Sequence, residues 1–208
     1  MLQLYATYQE VFHEPVKTVL EIGSRDGHDA EILRSLAGIE PRKVYVVEPH
    51  PQSYRNIIAN YPEFNTYQVA ISEATGVLDF NAIPHGFRDP GLSSLRKHFA
   101  GHPENWIKVL SITGATLLDL INEPEIDLLK LDVEGTSLDV IKSFGDQLRR
   151  IKVMHVEVEL VQFWQGQYLE HHVHEYLATQ GFKWMYARDA FHGTNQKDVI
   201  FARLGGPL

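Results

Sequence analysis

The chain contains no cysteine. That removes disulfides, thiol nucleophiles and zinc–thiolate sites, while saying little about compartment. Basic residues are scarce as well: 19 Lys+Arg stand against 27 Asp+Glu in 208 residues, a formal net charge of −8. A general nucleic-acid binder needs a basic face to displace counterions, so nucleic acid is not an expected partner. No apolar run approaches the ~20 residues of a membrane span and no charged–apolar–small leader opens the chain, so a cytoplasmic protein is expected. Repeats, low-complexity tracts and interdomain linkers are missing too. With 44% hydrophobic and 22% charged residues, the composition is that of an ordinary globular chain, and residues 1–208 are expected to form one domain.

What is present is an alternation of β-branched runs and helical patterns, beginning at TVLEIGSRDG, Thr18–Gly27. Thr18, Val19, Leu20 and Ile22 read as a buried strand, and a helical pattern (Asp29, Ala30, Ile32, Leu33, Leu36) follows the glycines at once. A strand that runs through glycines into a helix is how an α/β sheet builds a nucleotide site. The spacing is E-x-G-x-x-x-G, not the dinucleotide G-x-G-x-x-G, because Arg25 and Asp26 stand where the middle glycine would admit a pyrophosphate. No Gly-Lys-Ser/Thr follows, so this is not a Walker A loop. Glu21 and Asp26 repel phosphate, but they suit the ammonium of the amino-acid end of S-adenosylmethionine. A strand-to-helix turn that needs Gly23 for shape alone is the competing reading.

The second run, KVYVV at Lys43–Val47, ends in Glu48-Pro49. An acid about 20 residues past the glycine loop, at the end of the next strand, is where a ribose diol is gripped in such sheets. A carboxylate there disfavours a 2′-phosphate and hence NADP. Gln52–Asn60 reads as a helix, Phe64–Ile71 as the third strand and Val77–Ile83 as a short hairpin strand. Residues 83–106 then break the pattern with prolines, glycines and Ser93-Ser94. Long irregular segments inside compact domains carry function more often than not, and this one is expected to be a substrate-side flap. Ile107–Ile112 resumes β character, and Gly114–Ile121 is helical.

IDLLKLDVEG, Ile126–Gly135, is the fourth core strand, with Asp132 and Glu134 at its carboxyl end and Thr136 starting a helix. Lys130 alternates onto the face of Asp132 and is placed to pair with it. Next comes KVMHVEVEL, Lys152–Leu160, which puts Val153, His155, Glu157 and Glu159 on one face, an arrangement that fits a polar cleft. His155 titrates in the right range for a general base, yet strand histidines are commonly structural. Glu157 is the stronger candidate, being near the end of the strand beside that of Asp132. The two carboxylates suit a hard divalent cation, but two oxygen ligands fall short of its needs, so no metal ligand is assigned and a metal-free base is expected. Tyr168–Gln180 is helical. Its His171, His172 and His174 have no convincing metal spacing. Phe182–Ala187 and Asp198–Leu204 read as a closing hairpin.

Five motifs in this order resemble the FkbM-type S-adenosylmethionine-dependent methyltransferases: EIGSRDG, VEP at Val47–Pro49, AIS at Ala70–Ser72, SSL at Ser93–Leu95, and IDLLKLDVEG. The resemblance implies an α/β, Rossmann-like class I methyltransferase fold: a seven-stranded, mostly parallel sheet with the last strand antiparallel and helices on both faces. It implies O-methylation of a hydroxyl on a sugar, glycan or other small metabolite, with S-adenosylmethionine converted to S-adenosylhomocysteine. Cofactor binding would fall to Glu21, Gly23, Ser24, Arg25, Asp26, Gly27, Glu48, Pro49, Ile71, Ser72 and Asp132. Catalysis would fall to Asp132, Glu157 and His155, with Ser93, Ser94, Lys130 and Glu134 on the substrate side. Arg25 departs from the commoner glycine of the first motif. A nucleotide-dependent oxidoreductase on a similar sheet and a non-catalytic S-adenosylmethionine-binding or assembly domain are the alternatives.

Overall fold

The computed structural model describes residues 1–84, 86, 90–101, 104–189 and 195–204. In chain order these form α1 (Leu2–Phe12), β1 (Val19–Ile22), α2 (His28–Ala37), β2 (Val44–Val47), α3 (Pro51–Asn60), β3 (Asn65–Tyr67), β4 (Ala70–Ile71), β5 (Gly76–Asn81), β6 (Trp106–Ile112), α4 (Gly114–Ile121), β7 (Ile126–Leu131), α5 (Ser137–Ser143), β8 (Ile151–Glu159), α6 (Glu170–Thr179), β9 (Phe182–Asp189) and β10 (Gln196–Arg203). Among the described residues, a seven-stranded sheet has the order β3-β2-β1-β7-β8-β10-β9. Its pairs are parallel except along β10, which runs antiparallel to both β8 and β9. This is the expected Rossmann-like arrangement with the last strand reversed.

The central strands are buried from end to end, which is why they read as continuous apolar runs and not as alternating ones. Leu20, Ile22, Leu129, Leu131, Met154 and Val156 pack with α4, α5 and α6 on one face. Val19, Val44, Val46, Leu128, Val153 and Ile200 pack with α1, α2 and α3 on the other. Local chemistry starts and stops the helices. His50 Nδ1 accepts from the Gln52 and Ser53 amides ahead of α3, whose first residue is Pro51. Thr113 caps α4 by accepting from the Thr116 amide, and Asn122 ends it in the left-handed region, the cap geometry that asparagine tolerates best after glycine. At the end of the sheet remote from the glycine loop, Lys152 Nζ lies 2.9 Å from Asp127 and 2.5 Å from Glu14, and the Tyr8 hydroxyl donates to Asp127 at 3.0 Å. That network ties α1 to the starts of β7 and β8.

One expectation changes. The stretch Phe64–Ile71 is not one strand. β3 pairs with β2 only as far as Val47↔Tyr67, because β2 gives way to Glu48-Pro49 and proline offers no amide to extend a ladder. The chain then leaves the main sheet, and β4 joins a small second sheet of order β4-β6-β5. The 83–106 segment is fastened at several of its described points: Asn81 and Ser94 exchange backbone hydrogen bonds, Arg96 Nη2 meets Asp139 at 2.6 Å, and the Phe99 amide donates to Phe163 O. Residues 85, 87–89 and 102–103 of that segment lie outside the described residues.

Gly23 is demanded by the backbone. Its φ is +79°, and a Cβ there would sit 1.8 Å from the Asp132 carbonyl oxygen and 2.7 Å from its carbon. Gly23 is thus required within the chain itself, where β1 and β7 end side by side. Combining left-handed strain with overpacking, Gly23→Ala is expected to lose about 2–5 kcal/mol of stability. A denaturant midpoint within about 1 kcal/mol of the parent would show that the two strand ends separate easily.

Candidate active site

The cleft lies at the carboxyl ends of β1, β2 and β7, with the small sheet and the 83–106 segment on its other side. It encloses about 200 Å³. Glu48 stands at the end of β2, buried, with Oε2 accepting from the Arg25 amide at 2.8 Å and Oε1 from the His50 amide at 2.7 Å. Each oxygen keeps a lone pair for a further donor, so the carboxylate is pre-oriented for a pair of hydroxyls. Arg25 adopts φ +60°, which turns its amide towards Glu48. The apolar side of the cleft comes from Val47, Ile71 and Phe80, and Gly23, Pro49, Ser93, Ser94, Asp132, Glu134 and Glu157 also line it.

Behind the cleft, Lys130 is buried with Asp132 at 3.1 Å, Asp29 at 3.2 Å and Glu21 at 3.3 Å. Burial penalises its ammonium, but the three carboxylates outweigh that and hold its pKa well above the ordinary lysine value. Glu21 therefore supports the loop and does not face the cleft. Its Oε2 accepts from the Ser24 hydroxyl at 2.7 Å and from the Ala30 amide at 3.2 Å, and Ser24 Oγ accepts in turn from the Gly27 amide. Asp26 accepts from the His28 amide at the solvent-exposed start of α2. Ser72 meets the Ser111 hydroxyl at 2.7 Å, beside the cleft wall formed by Ile71.

The carboxylates of Asp132, Glu134 and Glu157 lie within 4.8 Å of one another. Glu134 reaches this group by adopting φ +35°, and the buried Ser94 hydroxyl donates to its carbonyl at 2.6 Å. Burial, followed by the charges of Asp132, Glu159 and Asp198, drives the Glu157 carboxyl well above the usual carboxylate range, as close like charges require. Burial likewise raises Glu21, Glu48 and Glu159 to about 7 each. His155 is not brought to this cleft. Its Nε2 lies 3.4 Å from Asp198 Oδ1, and the residue lines a different cavity. Sequence reasoning missed Ser53, Val69, Phe80 and Thr136, which also line the cleft. Of these, Thr136 adjoins the DVEG motif and Val69 the AIS motif, which are the local signals they carried.

Those raised carboxyls fix a pH trend. Between the ordinary carboxylate value and about 7, the folded chain binds more protons than the unfolded one, so stability falls as pH rises. Asp198, which burial would raise, is instead pulled to about 2 by His155 and Arg188, so its contribution is already complete in that window. The melting temperature is expected to drop from pH ~5 to pH ~8, and Glu157→Gln to melt higher than the parent at the alkaline end. A melting temperature that climbs across the window in the parent, or no gain in the variant, would contradict the burial of these acids.

A surplus of acids around one ammonium suits a cationic ligand, and a doubly anchored carboxylate suits a ribose diol. These residues fit S-adenosylmethionine. The methyltransferase FkbM domain model matches residues 21–184. The chain is similar to the 2-O-methyltransferase NoeI of Sinorhizobium fredii (strain NBRC 101917 / NGR234), 24% identical over 187 residues, with 80% of this chain and 73% of the relative covered. Its fold is similar to that of M. capricolum TrmK, solved with S-adenosylhomocysteine (TM-score 0.53, 8% identity, 100% of this chain and 70% of the other). An rRNA methylase from Streptococcus thermophilus shares it too (TM-score 0.52, 12% identity, 98% and 96% covered). That fold is therefore shared with an enzyme of RNA as well, and it does not by itself exclude nucleic acid. Family match, fold and site agree: this chain is a member of the FkbM methyltransferase family, an S-adenosylmethionine-dependent methyltransferase.

Proposed function

We propose that this chain methylates a hydroxyl of a small polyhydroxylated molecule, sugar or glycan, with Asp132 and Glu157 handling the proton. The observation that carries the reading is the carboxylate pair at the ends of β7 and β8, opening into the same cleft as Glu48. S-adenosylmethionine, when bound, supplies an electrophilic methyl on a sulfonium leaving group. Glu48 would hold the ribose, the Gly23–Arg25 backbone the methionine end, and Ile71 with Val69 the edge of the adenine. Asp132 and Glu157 are too close to bear two full charges, so the pair holds one proton and keeps one basic site. That site takes the acceptor's hydroxyl proton as the oxygen–methyl bond forms, and the positioning of the hydroxyl supplies much of the acceleration. The net charge of −8 favours a small acceptor over nucleic acid.

A second reading rests on Glu134. With three carboxylates converging, a magnesium- or calcium-like cation has three oxygen ligands from the chain, and it would lower the acceptor's pKa as it does that of water. Chelation separates the two. The proton-sharing pair predicts full methyl transfer after exhaustive EDTA treatment and near-complete loss in Glu157→Gln. Loss on chelation with unchanged cofactor affinity would transfer the role to a cation, and full activity in Glu157→Gln would remove that residue from the chemistry.

For the cofactor, Glu48→Ala should weaken S-adenosylhomocysteine binding by about 1.5–3 kcal/mol in calorimetry, the range for hydrogen bonds to a charged group. Unaltered affinity in a folded variant would take Glu48 out of the site, and absence of binding to the parent chain would sink the reading altogether.

A further inference from the structure

The methionine end of the cofactor carries two charges, an ammonium and a carboxylate, and the cleft provides for them unequally. Among the described residues its charged lining is Glu48, Asp132, Glu134 and Glu157 against a single cation, Arg25. That surplus of acid suits the ammonium and opposes the carboxylate, which therefore needs donors of its own. The customary donors for an anion beside a glycine loop are the amides of the loop and of the helix that follows. Here those of Gly23, Arg25, Asp26, Gly27, His28 and Ala30 are committed within the chain. The Gly23 amide donates to the Val47 carbonyl at 3.0 Å and that of Arg25 to Glu48 Oε2 at 2.8 Å. The Asp26 amide donates to the Ser24 carbonyl at 2.6 Å, and those of Gly27 and His28 donate to Ser24 Oγ and Asp26 Oδ1 at 3.0 Å each. Glu21 takes the Ala30 amide. Lys130 does not line the cleft and is enclosed by Glu21, Asp29 and Asp132. The hydroxyls of Ser94 and Thr136, which do line it, donate to the carbonyls of Glu134 and Val133.

From this distribution we infer that the Arg25 guanidinium holds the carboxylate of the cofactor, and that this one side chain sets the preference for a ligand with an intact amino-acid end. The inference rests on the cofactor reading above and divides the methionine end between two kinds of group. The carbonyl oxygens of the loop accept only, so they suit the ammonium. The carboxylate falls to the side chain. Arg25 is exposed and lines the cleft, and its amide is bonded to Glu48, the residue assigned to the ribose. The methionine chain leaves the ribose at its 5′ carbon, so it starts beside the backbone of Arg25. A guanidinium meets a carboxylate with two parallel hydrogen bonds, a match that a lone ammonium does not offer. The backbone supplies a second argument. Arg25 has a φ of +60°, a left-handed conformation that strains a residue with a side chain. Glycine would make the same turn, and present the same amide to Glu48, without that strain. The turn alone therefore does not account for an arginine here, whereas a carboxylate among acids does.

The test is calorimetry on the full chain with S-adenosylhomocysteine, its carboxyl methyl ester, and 5′-deoxy-5′-methylthioadenosine, which lacks the amino-acid end. The parent is expected to bind S-adenosylhomocysteine about tenfold or more tightly than the ester, the effect of losing a hydrogen bond between charged groups. Arg25→Gly and Arg25→Asn remove the guanidinium while tolerating the left-handed backbone, so the amide contact to Glu48 should persist. Both are expected to lose about tenfold or more in S-adenosylhomocysteine affinity, with the ester and methylthioadenosine bound as by the parent. Arg25→Lys should recover part of that loss. Unchanged S-adenosylhomocysteine affinity in both neutral variants overturns the inference. So does an equal loss for all the probes, which would make Arg25 a support of Glu48 and nothing more. Either result leaves the cofactor reading standing, whereas a parent chain that binds none of the probes fails both.

Discussion

One buried ammonium organises the working end of this sheet. Lys130 lies among Glu21, Asp29 and Asp132, each from a different element. An unpaired carboxylate in that position would cost several kcal/mol of desolvation, and so would an unpaired lysine. Together they hold the end of β7 against the glycine loop after β1 and the first turn of α2. Such pairs contribute less to net stability than to registration. Here the registration is what counts, because Asp132 borders the cleft while Asp29 borders the cavity on the other side.

The same end of the molecule is overdrawn in negative charge. Glu48, Glu134, Glu157 and Glu159 crowd around Asp132, and burial raises the carboxyls of Glu48, Glu157 and Glu159. Perturbed acids gathered in a cleft are a signature of chemistry more than of architecture. A folded state tuned only for stability would have fewer of them. The backbone adds its own constraint, since Gly23 packs against the Asp132 carbonyl with no room for a side chain, and Ser94 pins the strained Glu134 from the 83–106 segment. One hydrogen bond thereby ties the described part of the 83–106 segment to the acidic motif.

Much of the fold was legible in the sequence because its signals are local. Short apolar runs mark β1, β2, β7 and β8, with β-branched residues and flanking glycine or proline at β1 and β2, and all four are buried strands at those places. Gly114–Ile121 and the closing hairpin follow equally from period and turn chemistry. The break inside Phe64–Ile71 was not legible, because it depends on where β2 ends, a matter of the neighbouring strand and not of the segment itself. His155 illustrates the same limit in the site. Its alternation with Glu157 placed both on one face correctly, yet one strand step of two residues carries a side chain about 7 Å along the sheet, enough to move it from one cavity to the next.

The sequence by itself determined the core strands β1, β2, β7 and β8 with their acids, and the family, since each is written in short contiguous motifs whose spacing reflects the turn they must make. The tertiary structure alone decided which acids face the cleft and which face the protein. Glu21 and Glu48 look equivalent in the sequence, each an acid at the end of a buried strand. Yet Glu21 is folded inward onto Lys130, the Ser24 hydroxyl and the Ala30 amide of α2, while Glu48 is held by two backbone amides at the cleft wall. That difference comes from residues more than a hundred positions apart meeting across the sheet, and no local pattern encodes a contact between strands that the chain visits so far apart.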